Sequence, residues 1–359
     1  MIKSLKQSVL ILMAILALVL NSCMPDIEPM PEEYSQKLEE GKFLEFDEIM
    51  KDCNEIKALA EEYGSGYEDN PFAKHCQEYD VLLEKSKEAQ NALDQMMLQI
   101  KSDDTPPDKE KLNLALMLAA TAGDLKTLNQ LIQMGADPNA ENMLHMTALM
   151  SAANSIHPEC VDALLKAGAN PNVKDTMGST ALLLASNNRF NYQSVRMLIK
   201  GGADVNYQTP LGTTALYIAS LSGCTQCMYD LIKAGADVNV AEPVNDITPL
   251  LIVSRGLFSE AVVAVELLID AGADVNVKTK EEEITPLHVG IDNPGGYIAL
   301  LLLKAGANPN VTSKDGKTPY SIMMSNGSTY YRKDEDETFI ETDLYKAMMA
   351  AKARRLFIF

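Results

Sequence analysis

Residues 202–216 read GADVNYQTPLGTTAL, and residues 235–251 read GADVNVAEPVNDITPLL. The two stretches share a turn-forming Gly-Ala-Asp-x-Asn and then a Thr-Ala-Leu or Thr-Pro-Leu. The first element, as GA(D/N)xN, recurs from Gly135, Gly168, Gly202, Gly235, Gly272 and Gly306, at intervals of 33, 34, 33, 37 and 34 residues. The second recurs at Thr147, Thr180, Thr214, Thr248 and Thr285. A pattern held in register over six periods marks stacked units, not one compact core.

Each unit reads as two short helices, ALMSAANS (148–155) and then VDALLKAGA (161–169) in the second. Neither can bury its apolar face alone, so neighbours must stack, and Ala152, Ala153, Ala185 and Ala219 leave room for first helices to approach closely. Threonine ahead of the first helix is placed to cap its free N–H groups. Glycine in each GA is placed to end the second helix in the left-handed conformation, which costs little without a Cβ.

The period of about 33 with T-P-L-H (Thr285 to His288) and the G-A-D-x-N turn resembles the ankyrin repeat, from Asn113 to about Asn326. The resemblance implies an all-α fold: here a helical hairpin, then an α-solenoid of six to seven repeats and a C-terminal capping helix. The first unit lacks the threonine, Leu114 standing in its place. A seventh begins DGKTPY at Asp315, is interrupted by YYRKDEDETFIE, and closes with a helix expected near Asp343 to Leu356.

Upstream of the array the chain opens MIKSLKQSVLILMAILALVLNSCMP. Lys3 and Lys6 precede twelve apolar residues, Val9 to Leu20, which suits an export signal better than a span of about 20. Leu20-Asn21-Ser22-Cys23 resembles the bacterial lipobox. The resemblance implies cleavage before Cys23, lipid attachment there, and, with Met24 following, a place at the outer membrane facing the periplasm. Two or more acyl chains give stable tethering where one does not. The expected organisation is signal peptide 1–22, tether 23–41, acidic helical hairpin 42–101, linker 102–111, repeats 112–327, and charged insert with cap 328–359. In the hairpin, Phe46 to Tyr63 and Phe72 to Ile100 carry apolar residues at helical spacing.

Six cysteines are present, at 23, 53, 76, 160, 224 and 227. In an oxidising compartment Cys53 and Cys76, both on apolar helix faces, suit a bridge within the hairpin, with buried free thiols the alternative. Aligned on the GA glycines, Cys224 matches His157 and Cys227 matches Cys160, so the pair falls at the start of a second helix. Three readings stay open: a structural disulfide or inert thiols, a redox-responsive switch, and a catalytic thiol pair. The last lacks the thioredoxin-like setting that such chemistry needs. Cys160 is left as a small buried hydrophobe.

No nucleophile elbow, phosphate-cradling glycine loop or His-Glu zinc helix is present, so no enzyme, cofactor or metal site is expected. His288 reads as a structural hydrogen-bonding residue. Nucleic acid is disfavoured: the net charge is −19, and nothing basic clusters near the C-terminus except Arg354-Arg355, while Arg332-Lys333 sit within the acidic run of the insert. Residues 24–110 carry 9 Lys/Arg against 24 Asp/Glu, and 111–359 carry 20 against 26, so the acid is concentrated ahead of the repeats. This suits either solubility or a basic partner.

The ankyrin resemblance implies binding of another protein through a concave face built of turn tips and first helices. The tips are Met143, Leu144 and Met146; Thr176 and Met177; Pro210 and Leu211; Val244 and Asn245; Glu281 and Glu282. A contiguous apolar row among them would mark a contact surface, unless some tips tuck inward. The expected role is a lipid-anchored envelope scaffold or accessory factor. The alternatives are an immunity protein against a secreted toxin such as a lipase, or thiol-disulfide exchange through Cys224 and Cys227.

Overall fold

The computed structural model describes residues 71–102, residues 108–325 apart from 259, 292, 294 and 295, and two short strands beyond them. The chain divides into two compact units, 1–84 and 85–359. The expected leader with Cys23, the expected first hairpin helix, the question of a Cys53–Cys76 bridge and the expected C-terminal capping helix fall outside the described residues.

Helix α1, Pro71–Ser102, spans the stretch where the second helix of a hairpin was expected. Its Leu93, Met97 and Ile100, four and three residues apart, join the buried core of the array, and Ser86 Oγ donates to the Ala122 carbonyl at 2.8 Å. Six helix pairs follow: α2 Lys109–Ala122 with α3 Leu125–Gln133, α4 Ala148–Asn154 with α5 Pro158–Lys166, and α6 Ala181–Ser186 with α7 Tyr192–Lys200. The rest are α8 Ala215–Ser222 with α9 Thr225–Lys233, α10 Pro249–Val253 with α11 Ala261–Asp270, and α12 Pro286–Gly290 with α13 Tyr297–Lys304. Helix α14, Pro319–Ser325, opens a seventh unit. Inside the charged insert, β1 Tyr331–Lys333 pairs antiparallel with β2 Phe339–Glu341, Arg332 opposite Ile340. Among the described residues, this strand pair and an isolated antiparallel bridge between Glu242 and Ile247 make up the β-structure.

The local chemistry follows the repeat motif. Thr147, Thr180, Thr214 and Thr248 each accept a backbone N–H three residues on, at 3.1 to 3.4 Å. The six GA glycines have φ between +87° and +95°, the left-handed end that a Cβ would strain. First helices stack through side chains of minimal size: Ala152, Ala153, Ala185 and Ala219 are fully buried.

The asparagine of GA(D/N)xN, to which sequence analysis assigned no role, joins one repeat to the next. Asn206 Nδ2 donates to the Gly235 carbonyl at 3.0 Å, while its Oδ1 accepts from Asp237 N at 2.8 Å. Asn139, Asn172, Asn239 and Asn276 repeat the bridge to Gly168, Gly202, Gly272 and Gly306. A side chain with a donor and an acceptor on one planar amide can close both bonds at once. Neither aspartate nor leucine could.

His288 is structural, as expected. It is 4% exposed, and its Nδ1 lies 3.0 Å from Thr285 N–H and 2.8 Å from Thr285 Oγ1. Accepting at Nδ1 leaves the proton on Nε2, which donates to the Lys317 carbonyl at 3.3 Å in the seventh unit. Burial holds its pKa below the ordinary 6.5, as it does for His157 in the second repeat. A depressed histidine pKa means the folded state disfavours the extra proton. The contribution is therefore present above pH 6.5 and is lost as pH falls below it. Thermal unfolding between pH 8 and pH 5 should show stability falling on the acid side, with a shallower fall in His288→Gln. An unchanged pH slope in that variant would refute the assignment.

Candidate protein-binding face

Each turn between the GA(D/N)xN motif and the following threonine forms a finger braced by its own side chains. In the second repeat Asn142 Oδ1 accepts from Leu144 N at 2.8 Å and Met146 N at 3.0 Å. In the third, Asp175 accepts from Met177 N and Ser179 N. In the fifth, Glu242 accepts from Val244 N and Asn245 N. A carboxylate or amide that collects two N–H groups holds a loop in one conformation.

The fingers also lean on one another. Thr176 N donates to the Leu144 carbonyl at 3.0 Å, Lys280 N to the Asn245 carbonyl at 3.0 Å, and Lys314 N to the Glu282 carbonyl at 2.9 Å. Tyr207 Oη donates to the Gly178 carbonyl at 2.9 Å. Pro210 sits so close over Gly178, and Pro243 over Gly212, that a Cβ on either glycine would fall within 2.7 Å of the ring. Together these contacts make a preformed edge.

The side chains on this edge sort into two groups. Met143 is 98% exposed, Met177 and Leu211 are each 76%, Val244 is 66% and Leu144 is 57%. Thr176, Glu281 and Glu282 are exposed as well. Met146 instead is half-buried and packs against the core. Asn245 is half-buried, its Oδ1 sealed without a hydrogen-bond partner. Pro210 is exposed while its ring lies against Gly178. The tips lie in turns, with His145 and Asp246 left-handed at φ +56°, so no strict alternation applies and packing against the next repeat decides which side chain goes inward.

Interior first helices touch the first helices before and after them and their own second helix, as α8 does between α6, α10 and α9. One strip of their surface is only partly covered, half-buried at Leu184, Tyr217 and Ile252 and exposed at Asn187, Leu221 and Arg255. In α6 it carries Leu184, with Asn187 at the helix end; in α8 it carries Tyr217 and Leu221; around α10 it carries Ile252 and Arg255. These residues are three or four apart, so each set lies on one helix face. Leu221 is 59% exposed. Burial pushes the Tyr217 hydroxyl pKa up, Glu242 adds to the shift, and Arg255 opposes it. Sequence reading missed these first-helix positions, though the count from each capping threonine contains them.

Cys224 and Cys227 are joined by a disulfide, with their Cα atoms 5.2 Å apart. Cys224 is the N-cap of α9, its sulfur accepting from Cys227 N at 3.1 Å. Asp124, in the matching place of the first repeat, caps α3 with its carboxylate in the same way. Both cysteines are almost wholly buried, so a substrate disulfide has no approach to either sulfur. Cys160 is a buried free thiol whose pKa is pushed up to about 12 by burial, with Glu159 and Asp124 adding to it. It is therefore inert.

Comparison with known proteins agrees with this architecture. The family described as "Ankyrin repeats (3 copies)" matches four overlapping stretches, 89–175, 116–209, 149–242 and 216–315, together more than half of the chain. The ankyrin repeat domain of human ASB11 is 23% identical with a TM-score of 0.51, covering 66% of this chain and 96% of that one, a likeness of fold. The ankyrin repeat domain of Bcl-3, described as a unique member of the IkappaB protein family, is 26% identical with a TM-score of 0.50. That match covers 58% of this chain and 92% of Bcl-3's. No curated protein matches the sequence.

Proposed function

Because the chain belongs to the ankyrin-repeat family, whose members generally act as non-enzymatic interaction scaffolds, we propose that it is a binding protein. It holds another protein along the fingers and the partly covered first-helix strip, from a bacterial envelope membrane to which a lipid on Cys23 tethers it. The observation that carries this reading is the row Met143, Leu144, Met177, Leu211 and Val244: five large apolar side chains left in water on fingers braced across four repeats. A braced edge has little freedom left to lose when a partner docks, and apolar side chains gathered on such an edge are what a partner desolvates. The export leader and the Leu20-Asn21-Ser22-Cys23 motif support the tether.

The test is affinity capture of the tagged full-length protein from crosslinked native membranes. One stoichiometric companion is expected, and Leu144→Lys/Met177→Lys/Leu211→Lys should reduce its recovery at least about tenfold, as loss of central apolar anchors does. All three residues are exposed, so the variant should keep its helical circular dichroism. A companion recovered equally by the triple variant would remove the fingers from the interface. In the same experiment Cys23→Ser should move the protein to the soluble fraction; retention on the membrane would overturn the lipid tether.

A further inference from the structure

The finger edge changes character along its length. In the second to fourth repeats every charge is already engaged. Glu141 pairs with His145, Asp175 is taken up by its own finger's N–H groups, and Lys174 stands 4.3 Å from the centroid of the Tyr207 ring. The fourth finger, YQTPLGT from Tyr207 to Thr213, has no charged residue. This half offers only Met143, Leu144, Met177 and Leu211.

Beyond Val244 the pattern inverts. Asp246, Glu281 and Glu282 are exposed, and among the described residues none of their carboxylates lies within ion-pair distance of a cation. The cations nearby in sequence are Lys278, already paired with Glu283 at 3.1 Å, then Lys280, Lys314 and Arg255. Counting Glu242 and Glu283, the fifth and sixth fingers hold five carboxylates against Lys278 and Lys280. The main-chain bonds from Lys280 to Asn245 and from Lys314 to Glu282 keep this acidic end on the edge that carries the apolar row.

Resting on the binding role proposed above, we infer that the partner docks with a two-part polypeptide segment. Apolar side chains lie over the fingers of repeats two to five, and lysine or arginine side chains lie over Asp246, Glu281 and Glu282. The apolar part supplies most of the affinity by burial. The basic part fixes direction and register, since a reversed segment would set its charges on uncharged fingers and leave three carboxylates unmatched. An acidic segment would be repelled.

Selection from a phage-displayed library of random peptides on the immobilised full-length chain tests this. Enriched peptides are then synthesised and titrated by fluorescence anisotropy. Enriched sequences should combine an apolar cluster with two or more basic residues on one side of it. Glu281→Lys/Glu282→Lys should weaken them roughly three- to tenfold, the scale of exposed charge pairs, and the contrast should shrink as salt shortens the screening length. Selection on that charge-reversed variant should lose the basic bias. Peptides that fail to bind Met177→Lys/Leu211→Lys but carry no basic bias, or ignore the charge reversal, would overturn the two-part segment and leave the binding role standing. Absence of enrichment, or peptides indifferent to Met177→Lys/Leu211→Lys, would overturn the finger edge itself.

Discussion

Leu216→Ala is expected to lower the unfolding free energy by about 3 kcal/mol, within the range of roughly 2–5 kcal/mol for emptying a buried leucine site. Leu216 is fully buried in α8, the helix that packs on α6, α9 and α10. The neighbouring helices are held at their starts, α6 and α10 by Thr180 and Thr248 and α9 by Cys224, which limits how far they can close on the space. In an array whose units contact only their neighbours, weakening one interior unit also weakens the coupling across it. The urea transition should therefore move to lower concentration and broaden or split, repeats one to three parting from five and six. Leu211→Ala, five residues earlier but exposed on a finger, should shift the midpoint by less than about 0.5 kcal/mol. Equal effects from the two variants would refute the placement of Leu216 in the core.

Gly123→Ala is expected to cost about 2–4 kcal/mol, combining left-handed backbone strain with the loss of a buried hydrogen bond. Gly123 ends α2 at φ +76°, and an added Cβ would lie 2.4 Å from His157 Nδ1 and 2.5 Å from its Cε1. The ring cannot swing away cheaply, since it is packed between repeats and hydrogen-bonds the backbone at Thr121. Gly135→Ala separates the two contributions: its φ is +95° but nothing lies within 4 Å of the new carbon. That variant should carry the backbone cost alone, about 1–2 kcal/mol. Thermal unfolding of both proteins decides the matter. Displacing the ring should also remove His157's share of the acid sensitivity, so Gly123→Ala should lose less stability between pH 7 and pH 5. Equal destabilisation by the two variants would show that the ring is not held in place.

Most of the fold could be read from the chain because its determinants are local. A threonine caps the helix it begins, and a glycine ends the helix it follows, so six copies of one motif gave the number of units and their boundaries. The bond of His288 to Thr285, three residues away, was legible for the same reason. The exposure of the finger tips was legible only in part. Met143, Leu144, Met177, Leu211 and Val244 are exposed as a tip position suggests, whereas Met146 and Asn245 turn inward. Exposure along the first helices, half-buried at Tyr217 and Ile252 and open at Leu221, was not legible because it is set by how neighbouring repeats pack.

What the sequence by itself determined was an array of six to seven two-helix units, with its caps, its turns and its net acidity. Tertiary structure decided which apolar tips remain in water, that Cys224 bonds Cys227 inside the core, and that each motif asparagine reaches the next repeat. The division has one physical cause. Caps and turns are closed by atoms a few residues apart, whereas exposure and inter-repeat bonding depend on side chains about thirty residues away, brought close only by stacking.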